Sequence, residues 1–87
     1  MGLFGPPNVN EMKAKRDVKG LMKALAYKKD SGVRKAAATA LGQIGSLREE
    51  TQLALTETAR DSNPEVAAAA TVALGHLLLA EMTETSL

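Results

Sequence analysis

The sequence predicts an all-α protein, a short α-solenoid of two antiparallel helical hairpins (about five helices) with a short N-terminal capping helix. Three observations carry this. The chain repeats itself at an offset of 33 residues, the repeated stretch has the spacing of one helical face, and each proposed helix opens on a residue suited to cap it. Strand signals are absent: Phe4 and Tyr27 are the only aromatics, and the apolar residues are mostly Ala and Leu.

The repeat lays Val33-Arg34-Lys35-Ala36-Ala37-Ala38-Thr39-Ala40-Leu41-Gly42-Gln43-Ile44 over Val66-Ala67-Ala68-Ala69-Ala70-Thr71-Val72-Ala73-Leu74-Gly75-His76-Leu77, with six of the twelve pairs identical. Val33, Ala37, Ala40, Leu41 and Ile44, and then Val66, Ala70, Ala73, Leu74 and Leu77, follow the i, i+4, i+7, i+8, i+11 spacing of a buried helical stripe. Asp17, Asp30, Ser46 and Asn63 are the expected N-caps, with Pro64 at a first helical position and Ser46-Leu47-Arg48-Glu49 as a capping box. Gly45 falls where a left-handed residue would end the inner helix. Helices are therefore expected over 8–15, 17–28, 31–44, 47–60 and 64–82. The chain divides into an N-terminal segment and cap helix (1–16), a first repeat (17–45), a degenerate second repeat (46–82) and a tail (83–87). Gly42 and Gly75, inside helices where glycine costs about 1 kcal/mol relative to alanine, mark close approach of a neighbouring helix.

Asp17-Val18-Lys19-Gly20-Leu21-Met22-Lys23-Ala24-Leu25, followed by Asp30-Ser31-Gly32-Val33-Arg34-Lys35-Ala36-Ala37-Ala38-Thr39-Ala40-Leu41-Gly42-Gln43-Ile44-Gly45, resembles the HEAT-like repeat of the phycobilisome-lyase type. The resemblance implies a short outer helix, a tight turn with an Asp, and an inner helix opening with Val-Arg and closing with Ala-Leu-Gly-x-Ile-Gly. It also implies that Arg34 pairs with the Asp of a neighbouring turn, Asp30 or Asp61, although an arginine there could also face a ligand. The second copy keeps Val66, Ala70, Ala73, Leu74 and Gly75 but has Ala67 for the arginine and Leu78 for the terminal glycine. Its outer helix replaces Val18, Leu21, Met22 and Leu25 by Thr51, Ala54, Leu55 and Thr58. A 33-residue period also suits ankyrin and tetratricopeptide repeats, but the Thr-Pro-Leu-His of the former and the Trp and Tyr landmarks of the latter are missing.

Composition narrows the function. One domain of 87 residues hides only about 60% of its unfolded surface, so the core is thin. The absence of cysteine excludes disulfides, thiolate metal sites and thiol nucleophiles. His76 is the only histidine, no phosphate loop or Ser-His-acid order accompanies it, and Glu49 and Glu50 read as solvating charge. No enzyme activity, cofactor or metal is expected. The Gly- and Pro-broken start does not read as a signal peptide, and no apolar run is expected to reach the roughly 20 residues of a membrane span, so a soluble, cytoplasmic protein without membrane contact is the expectation. Met1 reads as an authentic start, and the loss of repeat pattern after Gly75 as the end of the stack.

Binding is the expected role, because stacked hairpins turn their inner helices toward one shared surface. Gly32, Lys35, Thr39 and Gln43 should face it from the first repeat, with Glu65, Ala68, Val72 and His76 from the second. Val72, His76 and Leu79 form a mildly apolar stripe for the chain's own tail or a dimer contact to cover. The last helix carries Leu78, Leu79 and Met82 on more than one face, so a homodimer through this C-terminal helix is expected.

Charge adds a second route. Residues 1–45 hold nine basic and three acidic residues, a net +6; residues 46–87 hold two and seven, a net −5. Head-to-tail stacking of basic on acidic ends, sensitive to salt, is the other form of self-association. The same lysines, Lys13, Lys15, Lys19, Lys23, Lys28 and Lys29 with Arg16, would serve a nucleic-acid-binding protein, but stacking aromatics are nearly absent and the acidic half would repel phosphates. An accessory or lyase-like subunit is the remaining alternative, set back by two repeats only and no cysteine.

Overall fold

The computed structural model describes residues 7–46 and 48–85. Five α-helices and no strand occur among them: α1 Val9–Ala14, α2 Val18–Ala24, α3 Ser31–Ile44, α4 Glu49–Thr58 and α5 Pro64–Thr85. They stack as two hairpins, α2 with α3 and α4 with α5, and α1 covers the free side of the first. The extents of 47 × 28 × 17 Å correspond in their shortest dimension to two helix layers.

Helix starts follow the local chemistry. Asn8 Oδ1 accepts from the Glu11 amide at 3.1 Å, Asp17 Oδ1 from Gly20 at 3.0 Å and Asp30 Oδ1 from Gly32 at 2.8 Å. Asn63 Oδ1 accepts from Glu65 at 2.9 Å and Val66 at 3.3 Å, holding the amides that Pro64 leaves at the start of α5. α3 ends on Gly45 at φ 76°, the left-handed stop. α1 ends differently: Arg16 takes φ 54°, with its amide bonded to Lys13 O at 3.1 Å and the Asp17 amide to Met12 O at 2.8 Å. That is a Schellman ending built on an arginine instead of glycine, and it swings the chain directly into α2.

Three helices are shorter than the sequence suggests, α1 by one residue at each end. α2 stops at Ala24, not 28, because residues 25–30 must turn back, and the Tyr27 and Lys28 carbonyls bond to Arg34 rather than continuing the helix. α4 starts at Glu49 with Arg48 as a cap residue that makes no side-chain bond, so the expected capping box does not form. Ser46 Oγ lies instead 3.1 Å from Thr51 Oγ1, giving that buried hydroxyl a partner; Leu47 lies outside the described residues. α5 runs to Thr85, past the expected 82, and the tail beyond it lies outside the described residues.

The core lies along α3. Leu21, Ala24 and Leu25 of the first hairpin meet Ala37, Ala38, Ala40 and Leu41, and these meet Leu55, Ala70, Ala73 and Leu77 of the second. Val66 is buried, and Val33, at the matching position of the first inner helix, is half-buried against the core. The alanines set a close approach: a Cβ placed on Gly42 would sit 2.9 Å from both Cα and Cβ of Ala73. Gly75 corrects the expectation for its copy, since a Cβ there meets nothing within 4 Å. The reason is position: α3 is sandwiched between neighbours, whereas no described element packs on the outward side of α5 at Gly75.

α5 also corrects the membrane expectation. Pro64–Met82, 19 residues of mean hydropathy 1.4, is by length and composition long and apolar enough to cross a bilayer. In the fold Val66, Ala70, Ala73 and Leu77 give this helix one buried face, and 22% of the span is buried.

Candidate functional site

α3 and α5 lie side by side and leave a groove of about 350 Å³ between them. Lys35, Thr39 and Gln43 form one wall at successive turns of α3, and Glu65, Ala68, Val72 and His76 the other at successive turns of α5; Ala69 and Ala73 make the floor. The floor exists because Gly42 lets α5 come in so closely that only alanine-sized side chains fit beneath it. Ala69 is a member the sequence reading missed, although its placement three residues after Val66 on an alanine-rich helix was the available signal.

The groove is apolar along its bed and polar at its rims. Lys35 Nζ reaches Glu65 Oε1 at 3.2 Å across one end, a bridge exposed at both partners and therefore weak. His76 and Gln43 stand at the other end, both exposed. Val72, 56% exposed, offers the largest apolar surface in the groove. Gly32 does not line it. It borders neighbouring depressions beside α1, lined by Val9 and Asn10 and, in one of them, by Lys13, which the sequence reading had not assigned to this surface.

Leu78, Leu79 and Met82 also stand apart from the groove. They are exposed by 54%, 62% and 63% on the last turns of α5, beyond the end of α3, and form a second patch. α5, of 22 residues, is about 33 Å long against about 21 Å for the 14 residues of α3, so its end projects past the stack.

Arg34 has no part in either surface. Its Nε donates to Asp61 Oδ2 at 2.7 Å and Nη2 to Asp61 Oδ1 at 3.2 Å, while Nη1 serves the Tyr27 and Lys28 carbonyls at 3.0 and 3.2 Å. Of the two partners left open by the sequence, Asp61 takes the pair. The hydrogen bond to Asp61 raises the guanidinium pKa, and the same bond, helped by the Asn63 amide, holds the Asp61 carboxyl below the ordinary aspartate range.

Lys13, Lys15, Arg16, Lys19, Lys23, Lys28 and Lys29 are all exposed on α1, α2 and the turns that follow each of them. Among the described residues no group of three or more His, Asp or Glu is placed to hold a metal ion.

No curated protein and no solved structure matches the chain. A family model of HEAT repeats matches residues 8–75, from the cap of α1 through Gly75, and so takes in both hairpins as far as Gly75 and every groove residue but His76. A family of this kind uses stacked hairpins mainly to bind other proteins. The chain belongs to the HEAT repeat family.

Proposed function

We propose that the chain is a non-catalytic protein-binding module that seats an apolar side chain or short helix of a protein partner in the groove between α3 and α5. The observation that supports this is the juxtaposition itself: an alanine-floored channel with Val72 exposed on its α5 wall, flanked at its ends by the Lys35–Glu65 pair and by Gln43 and His76. An apolar ligand gains from burying Val72, Ala68 and Ala69, and the polar rims fix its register. Gly32, beside α1, extends the same surface.

Selection of helical peptides from a displayed library against the folded protein tests this. Selected binders should lose affinity on Thr39→Arg and on Gln43→Trp, which fill the channel from exposed positions, and keep it on Lys19→Glu, on the outer helix. Binders that ignore both groove substitutions would sink the reading.

Self-association is a second reading, supported by the exposed Leu78, Leu79 and Met82 on the projecting end of α5. Binding of nucleic acid through the basic side of α1 and α2 has only those exposed lysines in its support, and a mobility shift with random DNA and RNA at low salt should show no retention.

A further inference from the structure

The repeat makes the outward face of α5 interpretable. In α3, Ala38 and Gly42 lie on a face that is fully covered, with Ala73 of α5 pressed against Gly42. One repeat later the same two positions are Thr71 and Gly75, and there Thr71 is exposed and the space at Gly75 is open. Ala67 and Leu78 continue the stripe at helical spacing, with Met82 a turn beyond. A helix-sized contact that the first inner helix makes is thus unmade by the second among the described residues.

We propose that this face is covered by the same face of a second copy, α5 against α5 in an antiparallel twofold pair centred on Gly75. This deepens the self-association reading and is independent of the groove.

Three observations select that occupant. First, the face is complementary to itself when reversed about Gly75: Leu78, three residues after the centre, falls beside Thr71, four before it, and Met82, seven after, falls over Ala68, seven before. Large side chains land on small ones, and glycine meets glycine where the axes cross, the condition for close helix packing.

Second, no charged residue lies between Val66 and Ala80, so the crossing desolvates no ion. Third, the head-to-tail alternative mismatches: α1 already covers the free side of the first hairpin and turns Lys13, Lys15 and Arg16 outward, a polar surface unsuited to Leu78.

The test is the mass of the full chain in solution by light scattering across a concentration series, at low and high salt, for wild type, Leu78→Glu and Gly75→Leu. Both substitutions are at positions with free space or high exposure, so circular dichroism should show folded variants. The expectation is a salt-resistant wild-type dimer, with the dissociation constant raised by at least about tenfold in each variant.

A wild-type monomer at high concentration overturns the proposal, as does a dimer that both variants retain, or salt-sensitive species longer than a dimer. So does partition of a monomer into phosphatidylcholine vesicles through Pro64–Met82. The groove reading fails separately: Thr39→Arg should leave the dimer intact, and Leu78→Glu should leave peptide binding intact.

Discussion

Arg34, in the first turn of one inner helix, grips Asp61, in the turn before the other, through two N–H···O bonds of 2.7 and 3.2 Å. The same guanidinium closes the end of α2 by donating to the Tyr27 and Lys28 carbonyls. One side chain thereby ties three segments around a thin core. Its repeat counterpart is Ala67, so the second copy lacks this tie.

Replacing Arg34 by Ala should lower the thermal midpoint clearly, because it leaves a half-buried carboxylate and two carbonyls without their donor. Arg34→Lys should recover only part of the loss, since an ammonium is a point charge and cannot serve Asp61 with two parallel bonds while reaching the turn. Thermal unfolding followed by circular dichroism checks the order wild type, Lys, Ala; equal midpoints for Lys and wild type would contradict the bidentate role.

Stability should depend on acid through Asp61. Its pKa is depressed in the fold, so the ionised pair contributes stability above the unfolded aspartate value of about 4, and this is lost as pH falls through the lower folded value. The difference in unfolding free energy between wild type and Asp61→Asn should accordingly be constant near neutrality and shrink below about pH 4. Denaturant unfolding at several pH values measures it; a difference that grows on acidification would reverse the assigned sign.

Gly42 and Gly75 occupy the same repeat position and should respond to alanine with opposite signs. At Gly75 the added methyl meets open space and should stabilise the isolated chain by about 1 kcal/mol through helix propensity. At Gly42 it would lie 2.9 Å from Ala73 Cα, and forcing the helices apart should cost roughly 1–3 kcal/mol, outweighing the propensity gain. Urea unfolding at a concentration where the chain is monomeric compares the two.

Arg16 holds a left-handed backbone at φ 54°, which costs a non-glycine residue roughly 1–2 kcal/mol. Arg16→Gly relieves this, offset by about 0.4–1 kcal/mol of extra unfolded-chain entropy, so a net gain of up to about 1 kcal/mol is expected. A loss of stability on that substitution would show that the arginine side chain, rather than the backbone geometry, matters at this turn.

Much of this molecule was legible locally. The caps at Asp17, Asp30 and Asn63 and the stop at Gly45 depend on one side chain and the few amides beside it, so residue type and spacing suffice to place them. Ser46 failed by the same standard: its hydroxyl had a competing partner in Thr51, buried only because α4 packs where it does. The left-handed Arg16 was invisible because nothing in an arginine announces that conformation.

The candidate site divides in the same way. Lys35, Thr39, Gln43, Ala68, Val72 and His76 were expected on one surface from the 33-residue offset and helical spacing, and those six line one groove. Leu79 was joined to Val72 and His76 by helical spacing, and Leu78 and Met82 were expected in a dimer contact of the last helix, but all three lie on the overhang of α5, a length difference between helices that no local pattern encodes.

What the amino-acid order determined by itself was therefore the periodic part: helix type, the repeat, the buried alanine and leucine stripes, and the residues shared by the concave face. Tertiary packing alone decided which of two identical glycines is pressed by a neighbour, which aspartate Arg34 takes, and where α2 and α4 begin or end. The physical reason is range. Capping and amphipathic spacing act within one or two turns of chain, whereas contact, burial and an ion pair across 27 residues depend on where a second helix comes to rest.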